Sequence, residues 1–451
     1  MKSSIITASA IVLAAIFGGN TAAAQQQTET KRMLDRFLSY VKIESQSVDD
    51  NDPESFPLTD GQKEIANFIF NEIKSFGGKI DVKMSPYYYI YVKIPSNIKQ
   101  TVPSVMFMAH LDVTPEANGQ GIKPQVHYNY DGGDIALGNG LVLSPKSNEG
   151  KHLNDLIGKT IVTSDGTTLL GSDCKAGCAI LVSLIEQMVK EQKNYKHGDV
   201  YFCFSQNEDV GKAALKMDMS YFDKTPDILY DVDGGNYGEF SMANFTAEGR
   251  TYLFKGNDAH PGDGKTNGLA DAQTAMAYFI GQLPPEIHPS HSEGTQGYVH
   301  CYEIEQFKVE PDIRPDVRLH FRIRYFDKAD GELYQRYLDN AMEKTREAYP
   351  TVKIVVENSV LQYDNVEYSM HPKAVEIISK AAQITGITMN PVKARGGTTG
   401  AMMVAVGMPG GPCIYSGQNA EHSKSEWCCM EELVDLTKLC KNIVTEVSLL
   451  K

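Results

Sequence analysis

Apolar residues at Ile65, Phe68, Ile69, Ile73 and Phe76 share one helical face, so the spacing predicts a helix over 61–76. An alternating strand is predicted around 87–94, then a continuously apolar one at Val105–Met108. A polar, Gly-rich stretch (115–158), a strand near Thr160 and a turn at Ser164-Asp165-Gly166 lead through Leu169–Cys174 into a helix over 176–189. The runs 200–204 and 228–232 carry apolar residues on both sides, as strands buried on both faces require. Such strands alternating with helices predict an α/β fold with a three-layer catalytic domain. From about 246 the pattern changes. A strand at 251–255, a helix at 268–282, a Pro/His/Ser-rich linker (284–296), alternating strands at 298–308 and 317–326, a helix near 330–347 and a strand at 352–358 make an α+β unit. After Tyr363 the first pattern resumes, with helices at 372–384 and 431–449. The expected division is therefore a first domain over 25–245 and 361–451, with a second domain, 246–360, inserted in it.

At 451 residues, two domains are the natural expectation. The net charge of −14 argues against nucleic acid or an anionic membrane surface as partner. Lys2, the apolar run from Ile5 to Phe17 and Ala22-Ala23-Ala24 have the parts of a signal peptide over 1–24. They predict an exported protein, periplasmic or secreted, with no membrane span in the mature chain. The eight cysteines mostly sit in apolar runs and read as buried free thiols.

The chemistry is announced by Glu208-Asp209, adjacent acids at the end of an apolar strand. Their repulsion is relieved if a cation neutralises one and leaves the other free to move a proton. Candidate partners are His110, Asp112, Asp173, Asp233 and His422, each at a strand end or in a Gly-rich loop. His110 and Asp112, two apart in extended chain, face the same way, so His110 can bind a metal while Asp112 receives its other ring N–H. Asp173, at a strand-to-helix turn, can bridge two cations, and equally can cap the helix. Asp233 in Asp-Gly-Gly is also ordinary turn chemistry, and His422 can be a loop residue. Together they are the inventory of a two-metal hydrolase, with donors suited to zinc, or to cobalt or manganese in its place.

These residues lie in segments that resemble the peptidase T group of the co-catalytic zinc peptidases, which includes aminoacylases and carboxypeptidase-like enzymes. The resemblance runs from about residue 30 to the C-terminus. It is carried by Ala109-His110-Leu111-Asp112, Gly132-Gly133-Asp134, Gly171-Ser172-Asp173, Asn207-Glu208-Asp209, Val232-Asp233-Gly234-Gly235, His260-Pro261-Gly262 and Arg395-Gly396-Gly397-Thr398. It implies one Zn2+ on His110 and Asp233, a second on Asp209 and His422, and Asp173 bridging them. Glu208 is then the general base on the water between the metals, and Asp112 supports His110. The inserted domain resembles a lid and dimerisation domain. There the resemblance implies a homodimer in which His260 assists the oxyanion, while Arg324 and Arg395 grip the C-terminal carboxylate of a short peptide. The activity implied is release of the N-terminal residue from tripeptides. Two rivals are a related aminoacylase- or dipeptidase-type amidase, which needs no free α-amine, and a catalytically silent peptide-binding protein, which Glu208 argues against.

The chain departs from the group's pattern at three places. Asp209 stands where Glu is usual, Thr399 where Asp is, and Cys174 where Asp follows the bridging acid. In this group that last peptide bond is characteristically cis, so a cis Asp173–Cys174 bond is expected.

Overall fold

A computed structural model describes residues 24–450 apart from 51, 53 and 309–314. The chain divides into two compact units. The first comprises residues 1–241, 370–391 and 398–451; the second comprises 242–369 and 392–397. The apolar run expected to direct export lies outside the described residues. The first described residue, Ala24, already belongs to a helix over 24–41.

The first unit is built on a mixed eight-stranded sheet. Its order is Asp81–Met84, Ile90–Ile94, Val200–Ser205, Val105–His110, Ile228–Gly234, Cys413–Tyr415, Glu239–Asn244 and Asn390–Ala394. The four central strands, Val200–Ser205 to Cys413–Tyr415, run parallel to one another, and their outer neighbours Ile90–Ile94 and Glu239–Asn244 are antiparallel to them. Every residue of Val105–His110 and Val200–Ser205 is buried, so both faces of the sheet are covered there. The Ser172–Glu191 helix packs on the middle strands and against the Met430–Ser448 helix. A Cβ on Gly177 would lie 2.1 Å from the Val232 carbonyl oxygen, so only glycine lets this helix approach the strand that carries Asp233.

The second unit is a four-stranded antiparallel sheet, ordered Tyr298–Phe307, Asp316–Tyr325, Thr246–Lys255, Lys353–Tyr363. Along Asp316–Tyr325, Leu319, Phe321 and Ile323 are buried with Phe279 of the Ala272–Gly281 helix and Leu338 of the Lys328–Ala348 helix. The alternate residues Arg318, His320, Arg322 and Arg324 take the opposite face, as the two-residue period of a strand dictates.

Several short elements escape the sequence pattern. The polar stretch 115–158 contributes Gln125–His127 to a second small sheet with Ile161–Thr163, Trp427–Cys429 and Gln418–Asn419. The strand expected over 87–94 begins only at Ile90, because Tyr88 adopts φ 62° in a turn. All eight cysteines are free, and all but Cys301 are buried.

Candidate metal centre

The ends of the parallel strands deliver the acids and histidines to one place. His110 closes its strand with its ring buried. Its Nε2 lies 3.0 Å from Asp173 Oδ1 and 3.5 Å from Asp233 Oδ1. His422 Nε2 lies 3.1 Å from Asp173 Oδ2 and 3.0 Å from Asp209 Oδ1. Three overlapping donor groups result, His110–Asp173–Cys174–Asp233, Asp173–Asp209–His422 and His110–Glu208–Asp209, and Asp173 belongs to the first two, one oxygen turned to each histidine. Ligands at ordinary zinc distances on a tetrahedron stand about 3.3–3.5 Å apart. The observed spacings are at or slightly inside that edge length.

The donor chemistry fits cations. Asp209 Oδ2 and Asp233 Oδ1 are buried oxygens with no hydrogen-bond partner among the described residues, and there is one in each group. Burial pushes Asp209 and Asp233 up to about 7, with the Asp173 charge acting in the same direction on both. Asp173 is itself buried, but hydrogen bonds from His110 and His422 outweigh this and hold it below the usual carboxylate range. His422 is pushed up to about 12 by its hydrogen bonds to Asp173 and Asp209. Without a metal, the histidines act as the positive charge among crowded acids. A bound cation takes over that task and frees them as neutral ligands.

Glu208 belongs to the third group alone. Its side chain is 12% exposed, and among the described residues the donor nearest its carboxylate is His110 Nε2, 4.0 Å from Oε2 and beyond hydrogen-bond reach. Burial, together with Asp233, Asp209 and Asp112, pushes its pKa well up against the opposing charge of His110. A carboxyl group held in that condition is able to accept and return a proton.

Asp112 has a part that residue spacing did not announce. Its Oδ1 is 3.4 Å from His110 Nδ1, but it also accepts the backbone N–H of Glu208 at 3.0 Å, and its Oδ2 accepts that of Asp209 at 3.2 Å. The His110 Nδ1 is bonded to the Asp112 backbone carbonyl at 3.1 Å, while the buried Asp112 carboxylate holds the acid pair, so this one residue fixes both. Glu426 was not anticipated at all. Fully buried, it accepts from the backbone N–H groups of Leu170 (2.6 Å), Gly171 (2.5 Å) and Asp173 (3.2 Å), clamping the turn that presents Asp173. Its only signal in the sequence is an acid entering the apolar run Trp427-Cys428-Cys429-Met430. The Asp173–Cys174 peptide bond is cis. The Cys174 thiol donates to the Val232 carbonyl at 3.1 Å, and burial raises its pKa well above that of a free thiol, so it stays protonated.

The other expected site residues lie in the second unit. His260 caps the Pro261–Asp263 turn, its Nδ1 accepting from Gly262 N–H at 3.1 Å. Arg324 donates to the carbonyls of Glu248 and Ile323 and to Gln362. Arg395 donates to the carbonyls of Gly294 and Gln296 and to the Ser292 hydroxyl, with its guanidinium over the Phe245 ring. Each guanidinium keeps part of its five-donor set uncommitted.

Comparison with known proteins supplies the context. The sequence pattern of Peptidase family M20/M25/M40 matches residues 171–446. Peptidase T of Bacillus subtilis is 31% identical over 420 residues, covering 93% of this chain and 98% of that protein. The crystal structure of aminopeptidase PepT from Bacillus cereus superposes with a TM-score of 0.70 at 20% identity, covering 93% of this chain and 98% of the other. A Bacillus subtilis M20 peptidase described as binding a dinuclear metal superposes with a TM-score of 0.63 at 12% identity, over 94% and 99% of the two chains. The same relatives correct the expectation of export. Similarity to peptidases T over most of the chain stands against a periplasmic or secreted protein, and all but Ala24 of the segment 1–24, on which that expectation rested, lies outside the described residues. No described helix is long and apolar enough to cross a membrane. With the fold, the clustered donors and these similarities in agreement, the chain belongs to Peptidase family M20/M25/M40, as a metallo-aminopeptidase of the peptidase T kind.

Proposed function

We propose that the chain holds two zinc ions, His110 and Asp233 on one, Asp209 and His422 on the other, with Asp173 shared between them. It releases the N-terminal residue of tripeptides. Bound there, the cations supply polarisation of the scissile carbonyl and acidification of water. The residues do the rest. Glu208, its carboxylate 4.0 Å from His110 Nε2, takes a proton from the attacking water and returns it to the departing amine. Asp112 keeps His110 and the Glu208-Asp209 backbone in register with one another. In the second unit, His260 supports the developing oxyanion, and the free donors of Arg324 and Arg395 bind the peptide's C-terminal carboxylate. The enzyme acts as a homodimer. The Lys353–Tyr363 strand supports this, since it lies at a sheet edge and leaves Val356, Val360 and Leu361 exposed.

The observation that carries this reading is Asp173, whose two oxygens face two different histidine-and-carboxylate pairs. Elemental analysis of purified protein supplied with zinc tests it. Two zinc ions per chain are expected in the wild type and at most one in Asp173→Ala. Two tightly held ions in the variant would remove the sharing role.

A further inference from the structure

A cavity of about 770 Å3 lies within the first unit, and Glu421 on its wall stands near enough to Asp173 and His422 for their charges to act on it. Two of the segments that line it run on from ligand positions: Gly235 is two residues past Asp233, and Glu421 immediately precedes His422. Glu421 is turned over Gly235, its Oε1 only 3.2 Å from where a Cβ on that glycine would stand. It belongs to none of the donor groups, and among the described residues the only hydrogen bond to its carboxylate comes from its own backbone. Elsewhere on the wall the Tyr237 ring stacks on the His152 imidazole, 4.0 Å between centroids and 19° between planes. His152 is held by Glu432 at 2.6 Å and Asp155 at 3.4 Å, so this flat face is fixed in place.

An enzyme that cuts the first peptide bond leaves a single residue on the amino side of the scissile carbonyl. Its α-ammonium is separated from that carbonyl carbon by one atom, so the charge must fall directly beside the metal pair. A carboxylate is what that position needs, and a cavity is needed next to it for the side chain. We propose that this cavity is the subsite for the substrate's first residue: Glu421 receives the free α-ammonium, and the Tyr237–His152 face receives a long or aromatic side chain. The assignment rests on the aminopeptidase reading above. It predicts that a blocked N-terminus is rejected, since an acylated amine carries no charge and leaves Glu421 without a partner.

Binding, rather than turnover, separates the two ideas. Zinc-loaded Glu208→Gln protein is titrated calorimetrically with trialanine and with N-acetyl-trialanine, alone and with Glu421→Gln added, zinc content being checked in both. The free peptide is expected to bind about tenfold or more tightly than the acetylated one, and Glu421→Gln to erase that difference. Tyr237→Ala is expected to weaken a tripeptide beginning with phenylalanine while leaving trialanine within about twofold. A preference for the free amine that persists in Glu421→Gln overturns the assignment, as does equal weakening of free and acetylated peptides. Failure of the wild type to cleave any tripeptide overturns the aminopeptidase reading instead.

Discussion

Glu208 and Asp209 are chemically similar neighbours that the fold places in different surroundings. Asp209 Oδ1 is 3.0 Å from His422, while the Glu208 carboxylate stands 4.0 Å from His110 Nε2. The backbone N–H groups of both are held by Asp112, so their directions are set by one buried side chain. The arginines show the opposite situation, with much of each guanidinium already committed to carbonyls. If the remaining donors of Arg395 bind substrate carboxylate, Arg395→Ala raises KM for free-acid tripeptides about tenfold or more and leaves C-terminally amidated ones little changed. Equal effects on the two, read from KM measured side by side, would dismiss the contact.

At the scale of elements, long periodic segments were legible and short ones were not. The helix over 61–76 is observed at Asp60–Ser75 and the closing helix at Met430–Ser448, because a buried stripe needs several turns to register. Strands of two or three residues, such as Val142–Leu143 and Gln125–His127, contain no period to read. In the site, the donors could be named because acids at strand ends contradict local preference. The clamps could not: Glu426 reaches three backbone N–H groups more than 250 positions away in sequence. His152 is a similar case, joined to Glu432 across 280 positions. Burial lowers its pKa, but Glu432 and Asp155 outweigh this and raise it above 6.5. The stabilisation it gains is therefore complete below pH about 6.5 and fades as pH rises through the raised folded value. The Tm difference between wild type and His152→Gln is expected to be larger at pH 6 than at pH 9. A difference that grows towards alkaline pH would contradict the pairing.

For the whole molecule, the metal centre is a load on the fold when no cation is present. Asp209 and Asp233, raised from 3.8 to about 7, penalise folding increasingly as pH climbs through that interval. His422, raised from 6.5 to about 12, contributes stability that is complete below 6.5 and declines above it. Both trends weaken the metal-free protein as pH rises, while ligand deprotonation strengthens metal binding. The gap in Tm between zinc-loaded and chelator-stripped protein should therefore widen from pH 5.5 to pH 8, by about 5 °C or more. A constant or shrinking gap would show that zinc does not relieve these acids. The change of pattern near 246 and its return after 363 set the expected bounds of the second domain, and the second compact unit comprises 242–369 and 392–397. The outer segment 1–23 was read as an address, and the relatives corrected that reading.

In the proposed mechanism Glu208 carries the proton and leaves the two cations to the other donors. The most direct test is the turnover number of Glu208→Gln on a tripeptide, with zinc content confirmed at two per chain. A loss of about 100- to 10,000-fold with both ions retained is the predicted result. Near-wild-type turnover with both ions in place would contradict it.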